Sequence, residues 1–171
     1  MRKASGSWSG MRKYLEKEML AAKLQGRVRY NCTSYVGMDS SHFFEIYVDD
    51  MKVKSFSLET VNTYFINRGL TKNKTPFGIQ EYWNEFWTTL HATPMNERTE
   101  YTDGEFSEAL AEYKNQQIEN SILSNNPLVR MFAVFDRRVG KRTLEKLKET
   151  IDAQPAWLRQ LYVIRLSAEQ L

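Results

Sequence analysis

Apolar residues recur at helical steps near the start of the chain and then at every second position. Met11, Leu15, Met19 and Ala22 follow one another at steps of four, four and three, with Tyr14 and Leu24 beside them. This spacing predicts an amphipathic helix from about Ser9 to Gln25, closed by Gly26, which tolerates the left-handed conformation of a helix end. Val28, Tyr30 and Cys32 then alternate with Arg27, Arg29 and Asn31, and Phe44, Ile46 and Val48 alternate with Glu45, Tyr47 and Asp49. Each set predicts a strand with one buried face. A third strand, from about Lys52 to Phe56, follows Asp49-Asp50, a turn without the glycine that tight hairpins favour.

From Ser57 onward the period is helical. Leu58, Val61 and Phe65 predict a short helix ending at Gly69, and the polar run Thr71 to Thr75 is linker-like. Ile79, Tyr82, Trp83, Phe86, Trp87 and Leu90 form a broad helical stripe that reads as core. Thr102 and Glu105 have capping-box spacing ahead of Phe106, Leu110 and Tyr113, predicting one long acidic helix to about Leu123. Asn126-Pro127 opens a helix that turns Leu128, Met131, Phe132 and Phe135 inward. Leu144, Leu147 and Ile151 mark the next helix, and Trp157, Leu161, Ile164 and Ala168 the last. The order is one helix, three antiparallel strands in a meander, then five or six helices, so the predicted fold class is α+β. Its length, 171 residues, suits a single domain. Within it, helix and meander occupy 8–56 and the helical part 57–171.

Composition excludes several function classes. Cys32 is the single cysteine, so an internal disulfide and a cysteine-rich zinc or iron–sulfur site are excluded, and a reducing compartment is expected. Met1 to Tyr14 is basic without a following apolar core, and the longest apolar run, Met131 to Phe135, is far too short to span a bilayer. The expectation is a soluble, cytoplasmic protein with no membrane partner, in which the sequon Asn31-Cys32-Thr33 carries no glycan. No Walker A loop, GxGxxG turn, GxSxG elbow or HExxH pair occurs, and no cofactor is implied.

Net charge is only +3, but it is unevenly placed: +6 over residues 1–36, zero over 37–75, −7 over 76–125 and +4 over 126–171. The strongest constellation is basic. Arg137-Arg138-Val139-Gly140-Lys141-Arg142 joins two predicted helices, setting four cations around a short turn at a helix start, where free amides and the helix dipole favour phosphate. Val139 to Thr143 is similar to half of a DNA-binding helix-hairpin-helix, with Arg138 where its first glycine would stand. A second cationic surface is expected on the sheet. There Arg27, Arg29, Tyr47, Lys52 and Lys54 share a face with Phe43, opposite Val28, Ile46 and Val53, unless helices cover it.

The leading reading is a non-enzymatic binding or accessory module. Its basic surface, built from Arg137, Arg138, Lys141 and Arg142 with Arg27 and Arg29, contacts an anionic partner such as nucleic acid. Two alternatives stay open. The acidic helix 102–123 and the basic ends of the chain would make a protein-interaction or self-associating module that engages another chain, such as an acidic protein or a second copy. His91 with Glu97, Glu100, Asp103 and Glu105 would make a metal-dependent hydrolase or nuclease, although acidic residues also collect at helix starts for the dipole alone.

Four segments carry a resemblance: Trp8-Ser9-Gly10-Met11-Arg12, Gly26-Arg27-Val28-Arg29-Tyr30, Glu100-Tyr101-Thr102-Asp103-Gly104-Glu105-Phe106, and Asp136 through Arg142. On these the chain resembles a family of small uncharacterised bacterial cytoplasmic proteins, from about Trp8 to the C terminus. The resemblance implies a bacterial origin and a single domain. It brings no activity, cofactor or site residue with it.

Overall fold

The computed structural model describes residues 7–34, 42–72 and 79–171. The polar run from Thr71 therefore lies mostly outside the described residues. The fold is α+β, with three antiparallel strands in the order β1-β2-β3: β1 Val28–Ser34, β2 His42–Val48 and β3 Met51–Phe56. Before the sheet stands α1 (Trp8–Lys13). After it come α2 (Leu58–Asn67), α3 (Gln80–Ala92), α4 (Asp103–Asn115), α5 (Ile118–Ile122), α6 (Pro127–Val134), α7 (Lys141–Glu149) and α8 (Ala156–Ala168).

The single helix expected over Ser9 to Gln25 does not form. After α1 the chain widens into a π-helical turn, Tyr14–Met19, and Leu20 becomes extended. Leu20 bridges Asp136, the Ala21 amide donates to the Phe135 carbonyl (2.8 Å), and the Arg137 amide donates to the Met19 carbonyl (2.7 Å). Backbone groups that a helix would use internally are thus satisfied by the chain following α6. Leu20, Ala21 and Leu24 are buried instead of Ala22, which is exposed.

The β2–β3 turn solves its lack of glycine with charge. Asp49 and Asp50 both take positive φ, 50° and 65°, as the central pair of a tight hairpin requires. Arg27 grips Asp49 with two hydrogen bonds of 2.8 Å, and Arg29 reaches Asp50 at 2.8 Å. The register then slips once: Ile46 pairs with Lys54 while Tyr47 pairs with Lys52, leaving Val53 as the extra residue of a bulge. That slip turns Lys54 onto the inner face with Phe44, Ile46 and Phe56, which corrects its expected place beside Lys52 on the outer face.

The inner sheet face packs on α4 and α6 through aromatic rings. Phe106 stacks on Phe44 at 4.3 Å and meets Phe56 at 4.9 Å and Phe132 at 5.2 Å. Helix α6 is buried almost all round, Val129, Ala133 and Val134 included, with Arg130 half-buried. Such a helix lies inside a core rather than on its surface. The expected acidic helix over 102–123 is two helices. The capping box forms as patterned, with Thr102 accepting from the Glu105 amide (3.1 Å) and Glu105 from the Thr102 amide (2.8 Å), but Gln116 is extended and ends α4. A second, smaller apolar cluster joins Val61 and Phe65 of α2 to Tyr82, Phe86 and Leu90 of α3. Among the described residues no helix is long and apolar enough to cross a membrane.

Candidate anion-binding corner and a carboxylate-lined cavity

The basic segment between α6 and α7 is anchored from below and charged above. Val139, Leu144 and Leu147 are buried, which fixes the turn and one face of α7 to the core. Gly140 stands at the N-cap of α7 with an ordinary φ of −81°, and no side chain caps the first amides of the helix. Those amides are the free donors of a helix start, at its positive dipole end. Arg137, Lys141 and Arg142 are all exposed. No carboxylate among the described residues lies within ion-pair distance of them.

Arg138 behaves differently. Its guanidinium donates to Asp136 at 2.7 and 3.0 Å, and its amide donates to the same carboxylate at 2.7 Å. The Asp136 side chain has no exposed surface, whereas 39% of the Arg138 side chain is exposed. This hydrogen bonding holds the guanidinium charged, well above its ordinary range, against the opposing effect of burial. Tyr113 donates its hydroxyl to Asp136 as well, and its own ionisation is pushed up, first by burial and then by that carboxylate. Arg138 thus neutralises a buried charge, and the backbone geometry of a two-glycine phosphate hairpin is not what shapes this turn.

Arg27 and Arg29 are likewise engaged at the β2–β3 turn, where they hold Asp49 and Asp50. Arg29 also lies over the Tyr47 ring at 5.6 Å, and Lys52 pairs with Glu45 at 3.3 Å. The outer sheet face therefore carries matched charges. Of the six cations expected to form one surface, three remain without a counter-charge among the described residues, and all three border the α6–α7 turn.

The inward Lys54 gave no sequence signal beyond a position in an alternating run, because only the bulge reverses it. Its ammonium donates to the Thr99 carbonyl and to Glu100 (3.2 Å), and it lies 5.2 Å from the Trp157 ring and 5.7 Å from the Tyr101 ring. Burial pushes its ionisation down, with Glu100 pulling the other way.

His91 lines a cavity of about 490 Å³ between the end of α3 and the start of α4, together with Asp103 and Glu105. The expected partners Glu97 and Glu100 are not among its lining residues. Arg98 and the Thr102 amide occupy Glu105, and Asp103 accepts the His42 amide at 3.0 Å. Among the described residues no group of three or more His, Cys, Asp or Glu side chains is placed to hold a metal ion. Cys32 lies 3.8 Å from His42 Nδ1, but burial and Asp103 push its thiol up, away from the thiolate a nucleophile needs.

A family model matches residues 7–166, nearly the whole chain. The chain belongs to the SF0329 protein family. That family is uncharacterised, so membership transfers no activity to these residues. Neither a curated protein nor a solved structure matches the chain. Within this SF0329 member, the α6–α7 corner and the cavity beside α3 are thus defined by their own chemistry alone.

Proposed function

We propose that this protein is a binding module that holds an anionic partner, in the first instance nucleic acid, at the corner where α6 meets α7. One observation carries the reading: Arg137, Lys141 and Arg142 stand exposed without carboxylate partners among the described residues, around an uncapped helix start. Free amides, a positive dipole end and counterion-releasing side chains all favour phosphate at that place. Farther along α7, Lys146 and Lys148 are offset by Glu145 and Glu149, which confines the excess positive charge to the start of the helix. Arg138, Arg27 and Arg29 contribute positive potential only in part, because each is already paired.

Retention on duplex DNA and on single-stranded RNA at graded salt tests the reading. The wild-type chain is expected to bind at low salt and to release as salt rises. The triple variant Arg137→Ala, Lys141→Ala, Arg142→Ala removes exposed side chains only, so it keeps its melting temperature. Its log–log salt slope is expected to fall by about 2 to 3, roughly 0.9 for each phosphate that is no longer neutralised. A wild-type chain with no retention on either nucleic acid at low salt overturns the proposal.

A further inference from the structure

We propose that the cavity between α3 and α4 binds an organic cation, an ammonium or guanidinium group, independently of the basic corner. The cavity has about 490 Å³, ample for such a group and far larger than a bare metal ion. Leu58, Leu90 and Met95 give it apolar walls, and Trp87 lies beside them with 40% of its surface exposed. The indole stacks on Trp83 at 6.3 Å and meets Phe86 edge-on at 5.1 Å. Asp103 and Glu108 add negative charge, and neither has an ion-pair partner among the described residues.

The one arginine that lines the cavity is already committed. Arg98 is 3% exposed, donates to Glu105 and to the Thr93 carbonyl, and lies over the Tyr101 ring at 5.4 Å. It offsets one carboxylate and leaves two. An anion would meet net negative charge here, and a neutral apolar ligand would bring no counter-charge to Glu108 or to Asp103, whose hydrogen bond from the His42 amide leaves its negative charge in place. A cation satisfies both the carboxylates and an exposed indole, whose π face attracts positive charge. The surrounding stretch, residues 76–125, carries −7 and would raise the local concentration of such a ligand.

The same group could come from a free amine or from a lysine or arginine of a partner protein. The test titrates the full-length chain with tetramethylammonium, with agmatine and with an acetylated tetralysine amide, following the Trp87 indole N–H by NMR. Sodium chloride at matched ionic strength is the control, and Trp87→Phe assigns the signal. Saturable movement of that signal, weakened at least threefold by Glu108→Gln, supports the proposal. Glu108 is exposed, and this variant is expected to keep the wild-type spectrum elsewhere. Tetralysine binding tenfold or more tighter than either small cation identifies a basic segment of a partner; equal or weaker binding identifies a small molecule. No saturable movement at millimolar concentration with any of the three probes overturns the proposal, as does movement that Glu108→Gln leaves unchanged. The alanine triple variant at the basic corner should bind these cations as wild type does, so the two sites stand or fall separately.

Discussion

Asp136 has no exposed side-chain surface, yet it carries a charge that Tyr113, the Arg138 guanidinium and the Arg138 amide all answer. Its backbone also bridges Leu20, so one residue ties the π-helical turn to the end of α6. Removing the carboxylate strands a buried phenol and frees the turn. Asp136→Ala is expected to destabilise the chain by about 3 kcal/mol in urea unfolding, a magnitude typical of a broken buried pair. Lys54 offers the opposite lesson. Its ammonium is desolvated between Tyr101 and Trp157, so the double variant Lys54→Met, Glu100→Gln, which removes both members of the ion pair, is expected to be neutral or stabilising. Glu100→Gln strips the ammonium of its counter-charge and should cost about 2 kcal/mol. Equal destabilisation by the two changes in urea melts would contradict this account.

At the scale of elements, two glycines that look alike in the sequence do different work. Gly69 ends α2 with φ at +67°, a conformation in which any side chain is strained. Gly140 opens α7 with an ordinary φ, and a methyl group added to it would meet nothing within 4 Å. Gly69→Ala is therefore expected to lose about 1 kcal/mol in thermal unfolding, and Gly140→Ala to stay within about 0.5 kcal/mol of wild type. If nucleic-acid retention survives Gly140→Ala, the α7 amides and side chains act without any special glycine geometry. The hairpin between β2 and β3 makes a related point. Asp49 and Asp50 occupy left-handed positions that glycine or asparagine would fill more readily, and two arginines secure them.

At the scale of the whole molecule, burial of phenols sets the alkaline limit. Burial pushes Tyr82 and Tyr101 up to about 12, from an ordinary value of 10.0. In the unfolded chain they ionise near 10, so the stability they contribute is complete below that pH and is lost as pH rises toward 12. Absorbance at 295 nm should show delayed phenolate formation in the native chain, ending in unfolding over that range. Tyr82→Phe should flatten part of the decline, apart from its lost hydrogen bond to Asn62. A native chain whose tyrosines all titrate near 10 would contradict the packing described above.

The sequence determined the order of elements and most of the core. Period-two and period-3.6 patterns need no partner to be read, because a side chain's face follows from its position along one element. Val28, Tyr30, Phe44, Ile46, Phe106, Phe132 and Leu161 are buried as their spacing requires, and Thr102 with Glu105 caps α4 by local geometry. The cationic turn before α7 was legible for the same reason, since it is contiguous. Tertiary structure alone decided where the first helix stops, where the register slips and which charges meet. Leu20 is extended because backbone beyond α6 offers it a better partner, and Lys54 faces inward because Val53 is one residue too many for its strand. Arg27, Arg29 and Arg138 are withdrawn from the basic surface by carboxylates folded or turned back onto them, and Trp87 shares a cavity with Asp103 and Glu108 only because two helices converge there. Such pairings depend on distances through space, and spacing along the chain does not encode them.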